Sequence, residues 1–156
     1  MYVTGNEMNM TVSVVIPSKN EAEGLKQILP ILTQLKDVNE VIVVDDGSSD
    51  STVQLCLEHK VKVISHPYCK GNGAAIKTGA RNATGDILVF MDADTQHNPA
   101  DIPVLVNKIR SGYDMAVGAR DSKSQASFGR GIANRLYTWL ATKVVGHKID
   151  DLTSGF

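Results

Sequence analysis

The sequence predicts an α/β fold, with an open, mostly parallel sheet and helices on both of its faces. Short apolar runs rich in β-branched residues alternate along the chain with amphipathic segments of helical period. The apolar runs are nearly continuous, which is typical of parallel strands covered on both faces. Polar and ionisable residues follow these runs directly, as expected where several strands end at one ligand-binding edge.

Five segments are predicted to be strands, namely residues 11–17, 40–46, 61–66, 86–92 and 115–120. Most of them are continuous apolar runs, such as TVSVVIP at 11–17, which Pro17 closes. The segment VKVISH at 61–66 alternates instead, which favours a half-covered or edge strand.

Amphipathic segments between the strands predict helices at residues 25–35, directly after Asp50, and at 74–83, 101–111 and 130–145. Pro30 lies within the first helix and should kink it or delay its start. Asp50 is the predicted cap of the second helix, whose apolar residues are Val53, Leu55 and Leu57.

The composition argues against several classes of protein. The 156 residues carry a formal net charge of −1, whereas nucleic-acid-binding proteins usually have a basic excess. No apolar run approaches the roughly 20 residues that span a bilayer, and the first residues lack the charged and apolar parts of a signal peptide. Cys56 and Cys69 make no disulfide framework. We therefore expect one cytoplasmic domain over residues 1–156 that binds no nucleic acid.

Asp92, Asp94 and Gln96 are the candidate metal ligands. They occupy alternate positions directly after the apolar run 87–91, so an extended chain would aim all three side chains at one point. Carboxylate and amide oxygens suit Mg²⁺ or Mn²⁺, and Mg²⁺ is usually held by one or two carboxylates together with substrate phosphates. A simple turn is the alternative, because Asp and Asn-Pro are common turn formers.

Other stretches are candidates for holding a nucleotide. Asp45 and Asp46 end the second strand and can accept hydrogen bonds from a nucleobase or a ribose, although a plain strand-turn-helix joint is the structural alternative. The loop KGNGAA at 70–75 resembles loops that bring backbone N–H groups to phosphates. Arg120 and Arg130 are candidate phosphate ligands, because guanidinium groups pair with phosphate through two hydrogen bonds.

With these motifs, the sequence resembles the inverting family 2 glycosyltransferases that have the A-type nucleotide-sugar-binding fold. The matching stretches are VVIPSKNE, VIVVDDGSSD, KGNGAAIKTGARNATGD, VFMDADTQHNP, VGAR and DLTSGF. MDADTQHNP and DLTSGF look most like the branch represented by dolichyl-phosphate mannose synthases and polyprenyl-phosphate glycosyltransferases. Members of the family usually continue beyond the TSGF motif, so the resemblance implies a domain that is incomplete at its C-terminus.

The resemblance also implies roles for individual residues. Those implied to hold the nucleotide sugar are Pro17, Asn20, Glu21, Asp45, Asp46, Lys70, Gly73 and Asp92. Asp92, Asp94 and Gln96 would organise Mg²⁺ or Mn²⁺ and the diphosphate. Arg120 and Arg130 would contact donor or acceptor phosphates, and together with Asp94 they form the implied catalytic set.

The acceptor implied by the resemblance is a lipid phosphate. Many relatives that transfer to a sugar hydroxyl use an acidic pair near a tryptophan as a base, and no acid lies beside Trp139. A sugar hydroxyl must lose its proton to attack, whereas a phosphate monoester, with a second pKa of about 6, is already ionised at neutral pH. The implied reaction is transfer of a hexosyl unit from a GDP- or UDP-sugar to a polyprenyl phosphate, with inversion and with Asp151 near the acceptor.

This reaction would take place in peripheral contact with the cytoplasmic face of a membrane. Two alternatives stay open. One keeps the fold and donor but uses a sugar hydroxyl as acceptor, in cell-wall or polysaccharide synthesis. The other is a nucleotide-binding protein without turnover. The sequence predicts no particular oligomeric state.

Overall fold

The structure, a computed structural model, describes residues 10–118. The described residues up to Ala116 belong to one compact unit, and Val117 and Gly118 belong to a second. In the described part the strands are β1 (Val12–Ser18), β2 (Glu40–Asp45), β3 (Lys62–Ser65) and β4 (Ile87–Phe90). The helices there are α1 (Ala22–Leu32), α2 (Thr52–Glu58), α3 (Asn72–Asn82) and α4 (Ile102–Arg110), with a 3₁₀ turn at Pro99–Asp101 before α4.

The four described strands form one parallel sheet in the order β3-β2-β1-β4. The chain steps from β1 to β2 to β3 in one direction and then returns past β1 to β4. Because such crossovers are right-handed, this reversal places α3 on the opposite face of the sheet from α1 and α2. The predicted open parallel sheet is confirmed, and β3, predicted as an edge strand, lies at an edge of the described sheet.

The core forms because the β-branched residues of the two central strands are covered on both sides. Ile42, Val44 and Ala75 make a buried cluster between β2 and α3. Gly79 allows α3 to lie directly on the sheet, because a β-carbon at this position would overlap the Val15 side chain. Close contact of this kind keeps the strand ends in fixed relative positions.

The helix predicted at residues 25–35 is confirmed as α1, which spans Ala22–Leu32. Its buried side chains at helical spacing are Leu25, Ile28, Leu29 and Leu32. Pro30 neither delays the helix nor ends it, since α1 begins at Ala22 and continues to Leu32. The proline lies in the last turn, so the hydrogen bond that it cannot donate is lost near the end of the helix.

Helix α2 differs from the prediction in the face that it buries. Thr52 and Cys56, spaced at i and i+4, face the core, whereas Leu57 is 57% exposed. The N-cap is Ser51 rather than Asp50, although an Asp50 carboxylate oxygen accepts a 3.0 Å hydrogen bond from the Thr52 N–H. Such a short helix is positioned by its neighbours rather than by its own apolar residues.

The predicted fifth strand is only partly within the described chain. Met115 to Gly118, which are described, adopt no strand. The last residues of this segment and the predicted helix at 130–145 lie outside the described residues. Among the helices that the structure describes, none is long and apolar enough to cross a membrane.

Candidate active site

A cleft of about 320 Å³ opens where β1, β2 and β4 end. It is lined by Pro17, Ser18, Lys19, Glu21, Asp46, Cys69, Gly71, Asn72, Ala75, Asp92, Ala93 and Asp94. The strand order reverses between β1 and β4, and open α/β sheets bind ligands at such a switch point. The structure thus brings together Pro17, Glu21, Asp46, Asp92 and Asp94, as the sequence predicted.

The carboxylate of Asp46 is buried in the wall of this cleft and accepts four hydrogen bonds. One oxygen accepts from His66 Nδ1 at 2.7 Å and from the Lys70 N–H at 2.8 Å. The other accepts from the Gly71 N–H at 2.7 Å and from the Cys69 thiol at 3.2 Å. The bonds from His66 and Lys70 hold the pKa of Asp46 far below its usual range, against the effect of burial. Asp46 therefore fixes the loop between β3 and α3 and stays ionised.

His66 extends this network into helix α3. Its Nε2 lies 2.9 Å from Thr78 Oγ1, while its Nδ1 holds the Asp46 carboxylate. The imidazole is buried and is bonded through both nitrogens, so it ties β2, β3 and α3 together at the back of the cleft. His66 ends the predicted strand at 61–66, but no local sequence pattern indicates its partners.

The loop after β3 presents a different glycine to the cleft from the one the sequence indicated. Gly71 lines the cleft and has φ +93°, a backbone conformation that favours glycine. Gly73 does not line the cleft, and a β-carbon there would meet nothing within 4 Å. The Lys70 ammonium group lies 5.7 Å from the centre of the Tyr68 ring. The roles of Lys70 and Gly73 toward the donor stay predictions.

Asn20 joins two neighbouring loops and Asp45 closes a turn within one of them, and neither residue lines the cleft. The Asn20 N–H donates to Ser48 Oγ at 2.8 Å, and Asn20 Oδ1 accepts from the Ser49 N–H at 2.8 Å. Asp45 Oδ1 accepts from the Ser48 N–H at 2.9 Å. Asn20 has φ +57°, which Asn tolerates better than most residues. It is not the cap of α1, whose N-cap is Glu21.

The segment from Asp92 to Gln96 turns sooner than an extended chain would. Strand β4 ends at Phe90, and Thr95 has φ +63°. Asp94 Oδ1 accepts a 3.0 Å hydrogen bond from the Gln96 N–H, which closes a turn of the kind Asp favours. Asp92 and Asp94 line the cleft, whereas Gln96 is exposed and does not. Because the chain turns here, its side chains do not alternate as in an extended chain, which was the basis for predicting that all three point to one place.

Gly24, which the sequence analysis did not single out, lies against the segment that carries both aspartates. A β-carbon at position 24 would overlap the Ala93 carbonyl oxygen. Helix α1 can therefore approach the backbone between Asp92 and Asp94 only because residue 24 has no side chain. A glycine within an otherwise regular helical pattern was the signal that could have identified it.

The side chains of the cleft supply only part of the ligands that a divalent ion needs. In residues 10–118, no group of three His, Cys, Asp or Glu side chains is arranged to hold a metal. Asp92 and Asp94 nevertheless line one cleft, and one or two carboxylates suffice for Mg²⁺ when phosphates and waters complete its shell. The described residues thus fit an ion that binds together with a diphosphate. Arg120, Arg130 and Asp151 lie outside the described residues.

A match to a known sequence family identifies the family of this chain. Residues 13–155 match the sequence profile described as Glycosyl transferase family 2. The chain belongs to this family. The resemblance noted from the motifs is thereby confirmed over nearly the whole sequence.

Curated relatives of this family 2 chain carry names of the expected branch. Dolichol-phosphate mannosyltransferase of Pyrococcus furiosus is 43% identical over an alignment of 117 residues that covers 71% of this chain and 33% of that protein. Undecaprenyl-phosphate 4-deoxy-4-formamido-L-arabinose transferase of Proteus mirabilis is 37% identical over 151 residues, covering 90% of this chain and 46% of that protein. The chain therefore spans less than half the length of either relative.

Solved structures confirm the glycosyltransferase A-type fold. Glucosyl-3-phosphoglycerate synthase of Mycobacterium tuberculosis, in complex with phosphoglyceric acid, superposes with a TM-score of 0.76 at 26% identity. The match covers 94% of this chain and 55% of that one. The same enzyme in complex with Mn²⁺, UDP and glucosyl-3-phosphoglycerate gives a TM-score of 0.72 at 26% identity, with the same coverage. A structural neighbour with this fold thus binds a divalent metal together with UDP.

Proposed function

We propose that the protein transfers a hexosyl unit from a GDP- or UDP-sugar to a polyprenyl phosphate, with inversion at the anomeric carbon. The observation that carries the proposal is the meeting of Asp46, Asp92 and Asp94 around one cleft at the switch point of a family 2 fold. The lipid-phosphate names of two relatives support the acceptor.

The donor would lie across the ends of three strands. The nucleoside would occupy the side formed by Pro17, Glu21 and the loop at 66–71, which the Asp46 carboxylate holds in place. The diphosphate would extend toward the carboxylates of Asp92 and Asp94. An extended nucleoside diphosphate suits this arrangement, because its charged end then faces the residues that would hold a cation.

Asp92 and Asp94 would hold Mg²⁺ or Mn²⁺, whose positive charge would offset the charge that develops on the departing diphosphate. The neighbour that contains Mn²⁺ and UDP supports this assignment. Asp94 is the better candidate for the ion, because it lines the cleft and is exposed, whereas Asp92 is half-buried. Arg120 and Arg130 are proposed to contact the donor or acceptor phosphates.

With a phosphate acceptor, the protein does not have to supply a general base. The acceptor oxygen is already ionised at neutral pH and can attack the anomeric carbon without a general base. The cleft then has to align the reactants and stabilise the leaving group. His66 is not needed as a base, and both of its ring nitrogens are hydrogen-bonded. A polyprenyl acceptor also implies contact with the cytoplasmic face of a membrane.

Radiolabelled GDP-mannose and UDP-glucose, each with Mn²⁺, test the proposal when polyprenyl phosphate and a soluble oligosaccharide are offered side by side. We expect label in the lipid fraction with one of the two donors, and an anomeric configuration opposite to that of the donor. Label on the oligosaccharide would favour the hydroxyl-acceptor alternative. Metal-dependent nucleotide binding with no transfer to either acceptor would favour a binding protein without turnover.

A matched pair of variants links transfer to the cleft. Asp94→Asn removes a carboxylate from the cleft, and Asp101→Asn makes the same change at an exposed residue of the following 3₁₀ turn that does not line it. We expect Asp94→Asn to abolish transfer and Asp101→Asn to retain it. Full turnover by the Asp94 variant would refute the assignment of this residue.

A further inference from the structure

The hydroxyl group of Ser18 is buried in the cleft without a partner. Ser18 is the last residue of β1, is 4% exposed and lines the cleft. Among the described residues, its Oγ is the one buried side-chain nitrogen or oxygen that makes no hydrogen bond. Buried polar side chains nearly always have a hydrogen-bond partner, so an exception in a cleft indicates a group that a ligand completes.

Ser13, on the same strand, shows what a buried serine ordinarily does in this sheet. It is fully buried at the opposite end of β1. Its Oγ donates to Glu40 Oε2 at 2.7 Å and accepts from the Gly85 N–H at 2.9 Å. The two serines therefore share a residue type, a strand and a degree of burial, and they differ in whether the hydroxyl is satisfied by the protein.

The position of Ser18 indicates which part of a ligand it would meet. Strand β1 lies between β2 and β4, and Ser18 is in register with Asp45 at the end of β2. On one side of it the cleft wall is formed by Asp46, and on the other by Asp92. Ser18 thus lies at the switch point, between the side proposed for the nucleoside and the side proposed for the diphosphate.

We propose that Ser18 is a donor-binding residue whose hydroxyl forms a hydrogen bond with a ribose hydroxyl of the nucleotide. This inference rests on the proposed function. The ribose joins base to diphosphate in every nucleoside diphosphate, so it occupies the middle of an extended donor. A serine hydroxyl both donates and accepts, which matches the two capacities of a ribose hydroxyl.

Calorimetric titration of Ser18→Ala with GDP and UDP, in the presence of Mn²⁺, tests the contact. We expect the Kd of the nucleotide that binds the unaltered protein to rise about five- to tenfold, as for the loss of one hydrogen bond. The melting temperature of the nucleotide-free variant should stay the same or rise, because the substitution removes a buried hydroxyl that lacks a partner. A serine with only a structural role would show the reverse.

Ser13→Ala is the matched control. It removes a hydroxyl that the protein itself satisfies, far from the cleft, and leaves the Glu40 and Gly85 groups without that partner. We expect a lower melting temperature and an unchanged nucleotide Kd. Ser18→Ala should therefore weaken nucleotide binding without loss of stability, and Ser13→Ala should lower stability without a change in binding.

The ribose assignment is tested with 2′-deoxy and 3′-deoxy forms of the same nucleotide. One of them should bind the unaltered protein more weakly, and Ser18→Ala should bind that form as well as it binds the parent nucleotide. Additive losses would overturn the ribose contact, and an unchanged Kd for Ser18→Ala would overturn the whole inference. No nucleotide binding by the unaltered protein would instead overturn the proposed function, and this inference with it.

Discussion

Asp46 and His66 are joined by a 2.7 Å hydrogen bond between the carboxylate and the imidazole Nδ1, and both side chains are 5% exposed. The same carboxylate accepts from the backbone N–H groups of Lys70 and Gly71. One side chain at the end of β2 thereby sets the course of the loop that forms a wall of the cleft. The hydrogen bonds of Asp46 therefore shape the cleft in the absence of a nucleotide sugar.

Asp46→Asn should destabilise the protein by roughly 3 kcal/mol, because an amide nitrogen would replace one carboxylate oxygen and leave the backbone N–H of either Lys70 or Gly71 without its acceptor. Urea denaturation measures the loss. Asp45→Asn is the control, since an amide oxygen at position 45 still accepts from Ser48. Equal losses in the two variants would contradict the role given to Asp46.

Gly24→Ala should move the Asp92–Asp94 segment, because the added methyl group would overlap the Ala93 carbonyl oxygen. We expect a loss of stability of about 1–3 kcal/mol, typical of overpacking, together with a weaker enhancement of nucleotide binding by Mn²⁺. Titration with and without the ion measures the second effect.

Gly79→Ala provides the comparison for this variant. Its methyl group would overlap Val15 in the core, away from the Asp92–Asp94 segment. It should lower stability to a similar degree but leave the effect of Mn²⁺ intact. If both glycine variants lost the metal effect equally, Gly24 would have no specific role in positioning the aspartates.

Glu40 should govern part of the acid sensitivity of the fold. Burial opposes its ionisation, but hydrogen bonds from Ser13 and Thr84 and the Lys62 ammonium outweigh this and lower its pKa from 4.5 to about 2. Because the folded pKa is depressed, the stabilisation is present above pH 4.5 and is lost as the pH falls toward 2.

The contribution of this shift is on the order of 3 kcal/mol at neutral pH, for a side chain that is 19% exposed. Glu40→Gln should therefore be less stable than the unaltered protein at neutral pH, with a difference that shrinks as the pH falls below the ordinary glutamate range. Urea denaturation across this range measures it. A difference that stays constant with pH would show that the Glu40 charge is not the cause.

Much of the fold followed from the sequence because short, mostly continuous apolar runs alternate with segments of helical period. The meeting of Asp46, Asp92 and Asp94 was predictable for a topological reason, since parallel strands end at one edge. No side-chain geometry was needed for that step. The helical period also identified α1, although the observed helix ends at Leu32 rather than at residue 35.

What the sequence did not disclose depends on contacts between distant residues. The four hydrogen bonds to Asp46 come from residues about twenty or more positions away, and no local pattern indicates them. Helix α2 buries Cys56 instead of Leu57 because its neighbours decide its rotation. Gln96 lies outside the cleft because Asp94 accepts a hydrogen bond from its N–H and closes a turn that ends the extended chain.

The central claim is that the ends of separate strands form one site for a nucleoside diphosphate and a divalent ion. Calorimetric titration of the unaltered protein and of Asp94→Ala with GDP and UDP, each with and without Mn²⁺, tests it most directly. We expect one nucleotide to bind the unaltered protein at least about tenfold more tightly with the ion, a gain of about 1.4 kcal/mol, and Asp94→Ala to show no such gain. Equal enhancement by Mn²⁺ in both proteins, or binding that ignores the ion altogether, would contradict the account.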